Sequence, residues 1–289
     1  MAEVLPALES ELAGLSFVSL STCNRVELYV DGAEAELRRV TAALERVRPG
    51  VNSELLVADG VSALEHLTRT TCGLEAIAVG EDEVGGQVRR AYNDAIRIGR
   101  VSPALRRAFD HALRTNRDLR KIDELPHNDL LSLALKDVKS NVASVLVIGT
   151  GQYARVVHQL LHARGVHTHW NYSTSGRRIS LPFTSERVKD ATLLPTLSKV
   201  DLVVGATGAA HPVVTAEHVR ILQRTGHTVP VMIDLTLNED ISHDVSALSP
   251  VTRLSDIASA HPESAPEQAA SYVRTQSQLL HHRMTVGAR

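Results

Sequence analysis

One short stretch constrains this chain more than any other. Residues Val145 to Ala154 read Val-Leu-Val-Ile-Gly-Thr-Gly-Gln-Tyr-Ala, an apolar run passing straight into Gly-x-Gly-x-x-Ala. The run predicts a buried strand from Ser144 to Ile148, and the residues behind the glycines predict a helix to about Arg164. Strand, glycine turn and helix in that order make a variant of the dinucleotide fingerprint. Gly149 permits the tight turn, Gly151 lets a pyrophosphate approach backbone, and the small Ala154 lets the helix pack on the strand. The first N–H groups of that helix lack partners within it and suit an anion. Gly149, Thr150, Gly151, Gln152, Tyr153 and Ala154 are therefore the candidate cofactor-binding loop.

The next strand of such a unit selects the nucleotide. An NAD site carries Asp or Glu at its end, about 20 residues on, for the ribose hydroxyls. Here the run is Asn171-Tyr-Ser-Thr-Ser-Gly-Arg-Arg178, which has no acid. Ser173, Thr174, Ser175 and Arg177 offer hydroxyls and a guanidinium, which suit a 2′-phosphate. The expected cofactor is NADPH.

Further strands are expected from Val166, at Asp201 to Val204 and at Val229 to Leu235. Their alternation with helices means a parallel sheet with crossover helices. The chain before Ser144 has a different grammar. Ser16 to Leu20 and Val26 to Val30 read as strands around a tight polar turn, and Leu55 to Ala58 as another. Glu34 to Arg46 has helical spacing, and Asp59 is the expected N-cap of a helix from about Gly60 to Cys72. Three more helices follow: one through Val88, Tyr92 and Ile96 to Gly99, one opened by Ser102-Pro103 and running to about Lys121, and one from Leu130 to Lys139. Pro126 to Asp129 separates the last two. Ala260 to Pro266 reads as a linker before a polar helix from about Ala265 to Arg283. The expected fold is α/β and α+β multidomain: a small α+β domain with a helical extension over 1–140, a Rossmann-type NADP-binding domain over 141–262, and a truncated C-terminal helix over 263–289.

Composition narrows the class. With 289 residues, 43% hydrophobic, 22% charged and a net charge of −2, the chain is an ordinary globular protein and no general nucleic-acid binder. Aromatics at 3% leave no stacking platform for single-stranded nucleic acid. Two cysteines, Cys23 and Cys72, cannot build a disulfide framework, which points to a reducing, cytoplasmic setting. No apolar run reaches the ~20 residues that span a bilayer, and no secretory signal is read. Charge is unevenly spread, however. Between Val84 and Lys121 ten basic residues face three acids. Arg107, Arg114 and Arg117 recur at helical spacing, and contact with nucleic-acid phosphates and a merely solvated helix are both open readings.

Ser21-Thr-Cys-Asn-Arg25 lies between the first two strands. A thiol in a polar turn beside a guanidinium is placed to ionise readily and act as a nucleophile, although burial as a small apolar residue is the default for cysteine. Cys72, on an apolar helical face, fits that default.

These residues carry a resemblance. Leu20-Ser-Thr-Cys-Asn-Arg-Val-Glu-Leu-Tyr29 resembles the signature of the glutamyl-tRNA reductases. So does Glu65-His-Leu-Thr-Arg-Thr-Thr-Cys-Gly-Leu-Glu75, continuing through Val79-Gly-Glu81 to Gly86-Gln-Val88. The nucleotide loop, Asp201-Leu-Val-Val-Gly-Ala-Thr-Gly208 and Val231-Met-Ile-Asp-Leu235 follow in the family's order, so the resemblance covers almost the whole chain.

The resemblance implies a two-step reaction. A cysteine thiolate takes the acyl group from an aminoacyl-tRNA, and NADPH reduces the thioester to an amino aldehyde, glutamate-1-semialdehyde in the family's route to tetrapyrroles. It implies that Cys23 is the nucleophile, that Thr22, Asn24 and Arg25 hold the aminoacyl group, and that His66 is the activity-critical histidine. A satisfied helix histidine is the alternative for His66. Glu81, Glu83 and Gln87 fall at substrate-binding positions. It also turns the basic stretch with Arg114 and Arg117 into the expected tRNA contact.

Some positions depart from the family. Ala76 stands where it has Ser, and Glu81-Asp82-Glu83 where it has Glu-Pro-Gln, which bears on which amino acid is carried. The family's opening strand has no counterpart before Ser16, and the family's dimerisation domain is absent, so a monomer or a different dimer is expected. Three other readings stay open: a reductase of another aminoacyl-tRNA or activated acyl group in specialised metabolism, a non-catalytic paralogue that binds tRNA or a partner, and a plain NADP oxidoreductase of the shikimate-dehydrogenase type.

Overall fold

The fold is given by a computed structural model that describes residues 4–22, 25–121, 129–136, 138, 142–173, 178–207, 211–236, 238–260 and 265–286. Cys23, Asn24, Thr174, Ser175 and Arg177, and most of the two expected connectors after Lys121 and Ala260, lie outside the described residues. The chain divides into two compact units, residues 1–129 with 262–289 and residues 130–261.

The first unit opens with α1 (Val4–Glu11), then an antiparallel hairpin of β1 (Ser16–Ser21) and β2 (Val26–Asp31). Helices α2 (Glu34–Val47), α3 (Gly60–Thr71), α4 (Asp82–Arg97) and α5 (Pro103–Lys121) follow, with α11 (Glu267–Val286) returning from the far end of the chain. Ser102 caps α5 as its sequence suggests, its Oγ accepting the Leu105 N–H at 3.2 Å. The buried side of α5 is Leu105, Ala108, Phe109, Ala112, Thr115 and Leu119, one helical stripe. Phe109 is the centre of the core, stacked on Tyr92 at 5.1 Å and edge-on to Tyr29 at 5.3 Å. Such ring pairs add about 0.5–1.5 kcal/mol each beyond the area they bury. α11 lies on α3 and α5, and its Ala269 and Val273 close a cluster with Cys72, Leu74, Val79 and Leu119.

The expected strand Leu55 to Ala58 does not form. The segment pairs with no strand among the described residues, and Leu56 is fully exposed. An apolar alternation without a partner strand gains neither ladder bonds nor burial.

The second unit opens with α6 (Leu130–Leu135), shorter than the helix expected to Lys139. Lys136 and Val138 instead donate three residues back, to Leu133 and Leu135, which tightens and ends the helix. The sheet contains β3 (Ser144–Ile148), β4 (Thr168–Tyr172), β5 (Glu186–Val188), β6 (Leu202–Gly205), β7 (Val231–Asp234) and β8 (Val251–Arg253). All six are parallel, in the order β5-β4-β3-β6-β7-β8. α7 (Gln152–Ala163), α8 (Asp190–Leu197), α9 (Ala216–Arg224) and α10 (Leu254–Ala260) connect or flank them. This is the α/β architecture the sequence predicted, with a Rossmann-type strand order. β4 starts at Thr168 rather than Val166, because the Val166 N–H returns to Leu161 O at 3.0 Å to close α7 behind Gly165, whose φ is +90°. Asp201 ties the sheet at its other end, one carboxylate oxygen accepting from Ala143 N, Ser144 N and Ser144 Oγ at 3.0, 2.9 and 2.7 Å.

Candidate functional site

The hairpin turn of the first unit is clasped at its neck. Thr22 N–H donates to Arg25 O at 2.9 Å, and Arg25 N–H donates to Thr22 Oγ1 at 3.2 Å. Between those two residues the sequence has room only for Cys23 and Asn24. Along β2 the side chains alternate, so Arg25, Glu27 and Tyr29 share a face. They converge on Glu27. Its carboxylate accepts from the Tyr29 hydroxyl, from Arg25 Nη1 at 3.3 Å and from His66 Nε2 at 3.0 Å. Burial pushes the Glu27 carboxyl up, but the hydrogen bonds from His66 and Tyr29 and the charges of His66 and Arg25 outweigh it and hold it below the usual range. The hydrogen bond to Glu27 raises His66 against the opposing effect of burial. Burial, then the Glu27 charge, pushes the Tyr29 phenol far up.

Arg25 is also tied to its surroundings. Nη1 donates to Thr70 Oγ1 at 3.2 Å on α3, and Nη2 donates to the Glu75 carbonyl. The Glu75 carboxylate in turn pairs with Arg69. Glu75 sits in the loop from Gly73 to Glu81, which is wound tightly on itself. Gly80 N–H reaches Gly73 O at 2.9 Å, and Glu81 N–H reaches Ala78 O at 2.9 Å. Gly73 has φ +72°, and a Cβ there would lie 2.9 Å from Glu81 N. Only glycine suits that position.

Glu81 ends this loop as the N-cap of α4 and is 5% exposed. Burial first, then Glu83 and Asp129, push its carboxyl up to about 7, although Arg25 pulls the other way. Glu83 pairs with Arg90, and Asp82 pairs with Arg120. The two carboxylates the sequence adds beside Glu81 are thus balanced by arginines of α4 and α5. Gln87 Oε1 is buried and has no hydrogen-bond partner among the described residues. Arg25, His66, Glu81, Glu83 and Gln87 therefore all belong to this unit, with Arg25 joining β2, α3 and the loop. Sequence reasoning missed Glu27 as the hub, although the period-two spacing of Arg25, Glu27 and Tyr29 was there to find it. Cys72 is fully buried, and burial pushes its thiol up to about 12, which makes it inert.

On the exposed side of α5, Arg106, Arg107, Arg114 and Arg117 are exposed and make no ion pair among the described residues. The charge of Arg114, with that of Arg283 from α11, is felt at His111, whose protonation burial already disfavours.

In the second unit the glycine turn follows β3. Gly149 has φ +130°, and a Cβ on it would lie 2.8 Å from Ala206 O and 3.0 Å from Thr207 Cγ2. Its N–H donates to Tyr172 O at 2.8 Å, so the turn is seated between β4 and β6. Gly151, the N-cap of α7, is exposed, and a Cβ there would meet nothing within 4 Å. Ala154 is fully buried under the helix. The strand order reverses on either side of β3, which is where open α/β sheets take their ligands. The exposed Gly151 and the start of α7 fit the pyrophosphate of a dinucleotide. Thr150 is half-buried and Gln152 exposed at this turn, Tyr153 is buried behind it, and Ser173 follows β4.

Comparison with known proteins follows the same division. Residues 1–122 match the family profile of the glutamyl-tRNAGlu reductase N-terminal domain, and residues 132–258 match that of shikimate / quinate 5-dehydrogenase. The glutamyl-tRNA reductase of Methanopyrus kandleri is 31% identical over 254 residues, covering 83% of this chain and 61% of that one. That of Clavibacter michiganensis is 33% identical over 260 residues, 82% and 59%. That of Renibacterium salmoninarum is 31% identical over 283 residues, 92% and 64%. The solved glutamyl-tRNA reductase of Methanopyrus kandleri superposes with a TM-score of 0.47 at 24% identity, covering 98% of this chain and 77% of that one. The chain thus spans about three fifths of the length of these curated relatives. No helix among the described residues is long and apolar enough to cross a membrane. With both halves matched in order and the cysteine-turn motif intact, the chain belongs to the glutamyl-tRNA reductase family.

Proposed function

We propose that this chain is an NADPH-dependent aminoacyl-tRNA reductase, with glutamyl-tRNA as the first substrate to test and glutamate-1-semialdehyde as its product. The observation that carries the reading is the clasped turn at Thr22 and Arg25, backed by the Glu27–His66 pair. In this reading the Cys23 thiolate attacks the ester carbonyl, a carbon–sulfur bond forms, and the bond to the tRNA ribose oxygen breaks. That oxygen needs a proton, and His66, whose protonated form Glu27 favours, is a donor of the right kind. A thioester accepts hydride more readily than an ester, which is why a soft nucleophile belongs here. NADPH, when bound, supplies the hydride, and the carbon–sulfur bond then breaks to free the aldehyde and the thiolate.

Other residues have supporting roles. Thr22, Asn24 and Arg25 hold the aminoacyl group, with Glu81, Glu83 and Gln87 around it. The half-neutral Glu81 and the paired Asp82 and Glu83 leave the pocket less repulsive to a substrate carboxylate than the bare sequence suggests. Gly149 to Ala154 hold the pyrophosphate, and Ser173, Thr174, Ser175 and Arg177 hold the 2′-phosphate. Arg114 and Arg117 contact tRNA phosphates.

The test is to incubate the protein with NADPH and a panel of individually charged tRNAs, trapping any aldehyde, and to repeat it with Cys23→Ser. Glutamate-1-semialdehyde formed only with Cys23 present is the expected result. Another amino aldehyde would change the substrate, and no aldehyde from any tRNA would overturn the reading.

A further inference from the structure

The end of β7 carries a buried pair of carboxylates that neither the nucleotide loop nor the cysteine turn uses. Asp234 and Asp240 are 1% and 2% exposed. Gly205, at the end of β6, makes room for both, since a Cβ there would lie 2.7 Å from Asp234 Oδ1 and 2.9 Å from Asp240 Cβ. Their partners differ. Asp234 holds its own loop, accepting from Thr236 Oγ1 at 2.6 Å and Ile241 N at 2.8 Å, with Arg253 Nη1 at 3.8 Å. Asp240 reaches across to the chain just beyond β6. Its Oδ2 accepts the Thr207 N–H at 2.8 Å and its Oδ1 accepts the Thr207 hydroxyl.

Thr207 is the residue that touches the dinucleotide turn. Its Cγ2 and the Ala206 carbonyl are the atoms that crowd Gly149. The Ala206 N–H also donates to Ile148 O at 3.0 Å, at the base of that turn. A two-point clamp on Thr207 therefore fixes one wall of the crevice at the strand-order reversal. Asp240 does this while itself only 2% exposed. A carboxylate buried to this extent costs free energy unless its donors are well placed, and its donors here come from the adjacent residues Thr207 and Ala206.

We propose that Asp240 is a positioning residue for the nucleotide site, acting through Thr207 to hold the Ala206–Thr207 wall against Gly149. The inference rests on the NADPH reading above and adds a residue to it. Asp240→Asn can still meet Thr207 with its amide oxygen on the N–H and its N–H₂ on the hydroxyl oxygen, but it replaces two charge-assisted bonds by weaker neutral ones and so loosens the clamp. Thr207→Val keeps the branched shape against Gly149 and removes only the hydroxyl. Thr207→Ser keeps the hydroxyl.

The experiment is NADPH titration of the full chain, followed by nicotinamide fluorescence, with thermal unfolding of each variant alongside. We expect Asp240→Asn and Thr207→Val each to weaken binding about tenfold, the double variant to be no worse than the singles, and Thr207→Ser to bind within about twofold of the parent. Thr207→Val should do this without lowering the unfolding temperature to match, which separates positioning from a general loss of stability. If Asp240→Asn fails to fold, Thr207→Val decides. Parent-like affinity in Thr207→Val would overturn the proposal. A parent protein that binds no NADPH would overturn the nucleotide reading and this inference with it.

Discussion

Glu27 and His66 lie 39 residues apart in sequence and meet at 3.0 Å between Oε1 and Nε2. Each partner favours the charged form of the other, which holds Glu27 below its usual range and His66 above its ordinary 6.5. Replacing Glu27 by Gln should move the His66 titration down, as read from its imidazole proton shifts. The stabilisation His66 gains from the pair is full below pH 6.5 and is lost as pH rises through its raised value. On the acid side it is lost as Glu27 protonates below its lowered value. An unmoved His66 titration in Glu27→Gln would show that the pairing does not set its charge.

Gly73→Ala should destabilise the first unit by about 2–4 kcal/mol in urea unfolding. The substitution meets two obstacles at once, a φ of +72° and a Cβ 2.9 Å from Glu81 N. Relief requires shifting the loop that carries Glu81, so activity should fall with stability. Parent-like stability would mean that the loop is looser than its hydrogen bonds indicate.

The two thiols should differ sharply toward an aromatic disulfide reagent at neutral pH. Cys72 is fully buried with its thiol pushed up to about 12. Rapid labelling of the native protein is expected to persist in Cys72→Ser and vanish in Cys23→Ser. The reverse pattern would remove Cys23 as the nucleophile.

Arg114→Glu with Arg117→Glu should weaken charged-tRNA binding about tenfold or more at low salt and flatten its salt dependence. Both side chains are exposed, so folding should not change. Fluorescence anisotropy at several salt concentrations measures both effects. Unchanged affinity would leave this face as a solvated surface.

A buried histidine pair should make the second unit acid-labile. His169 Nε2 donates to Val166 O at 2.8 Å, so its Nδ1 accepts from His158 Nδ1, at 3.0 Å. That leaves His158 Nε2 bare and buried. Burial, then His169, lowers His158 to about 3. The unfolded chain protonates this group near 6.5, so its contribution is present above that pH and falls by about 1.4 kcal/mol per unit toward 3. Urea midpoints between pH 7.5 and 5 should show the slope, and His158→Leu should reduce it. An equal slope in the variant would assign the effect to other groups.

Local rules made much of this legible. Ser102-Pro103 announced α5, Gly165 announced the end of α7, and the glycine loop announced the strand–turn–helix unit of the parallel sheet. What sequence reasoning lost was dependence on distant neighbours. Leu55 to Ala58 has the pattern of a strand, but pairing is a property of two segments and the pattern shows only one. Cys23, Arg25 and His66 could be named from a motif, whereas Glu27 mattered only once β2 and α3 were seen to meet. Asp240 was equally hidden, since nothing in its own surroundings points 33 residues back to Thr207.

The last helix of the chain belongs to the unit that begins it, and this has a consequence for synthesis. Cys72 and Leu119 are sealed by Ala269 and Val273. A ribosome making about 5–20 residues per second needs roughly 7–30 seconds to travel from the end of α5 to the start of α11. Through that interval the seat on α3 and α5 stays bare while the entire nucleotide unit is made. Of these two units the one begun earlier is therefore finished later, and its uncovered apolar seam is the surface a chaperone would meet.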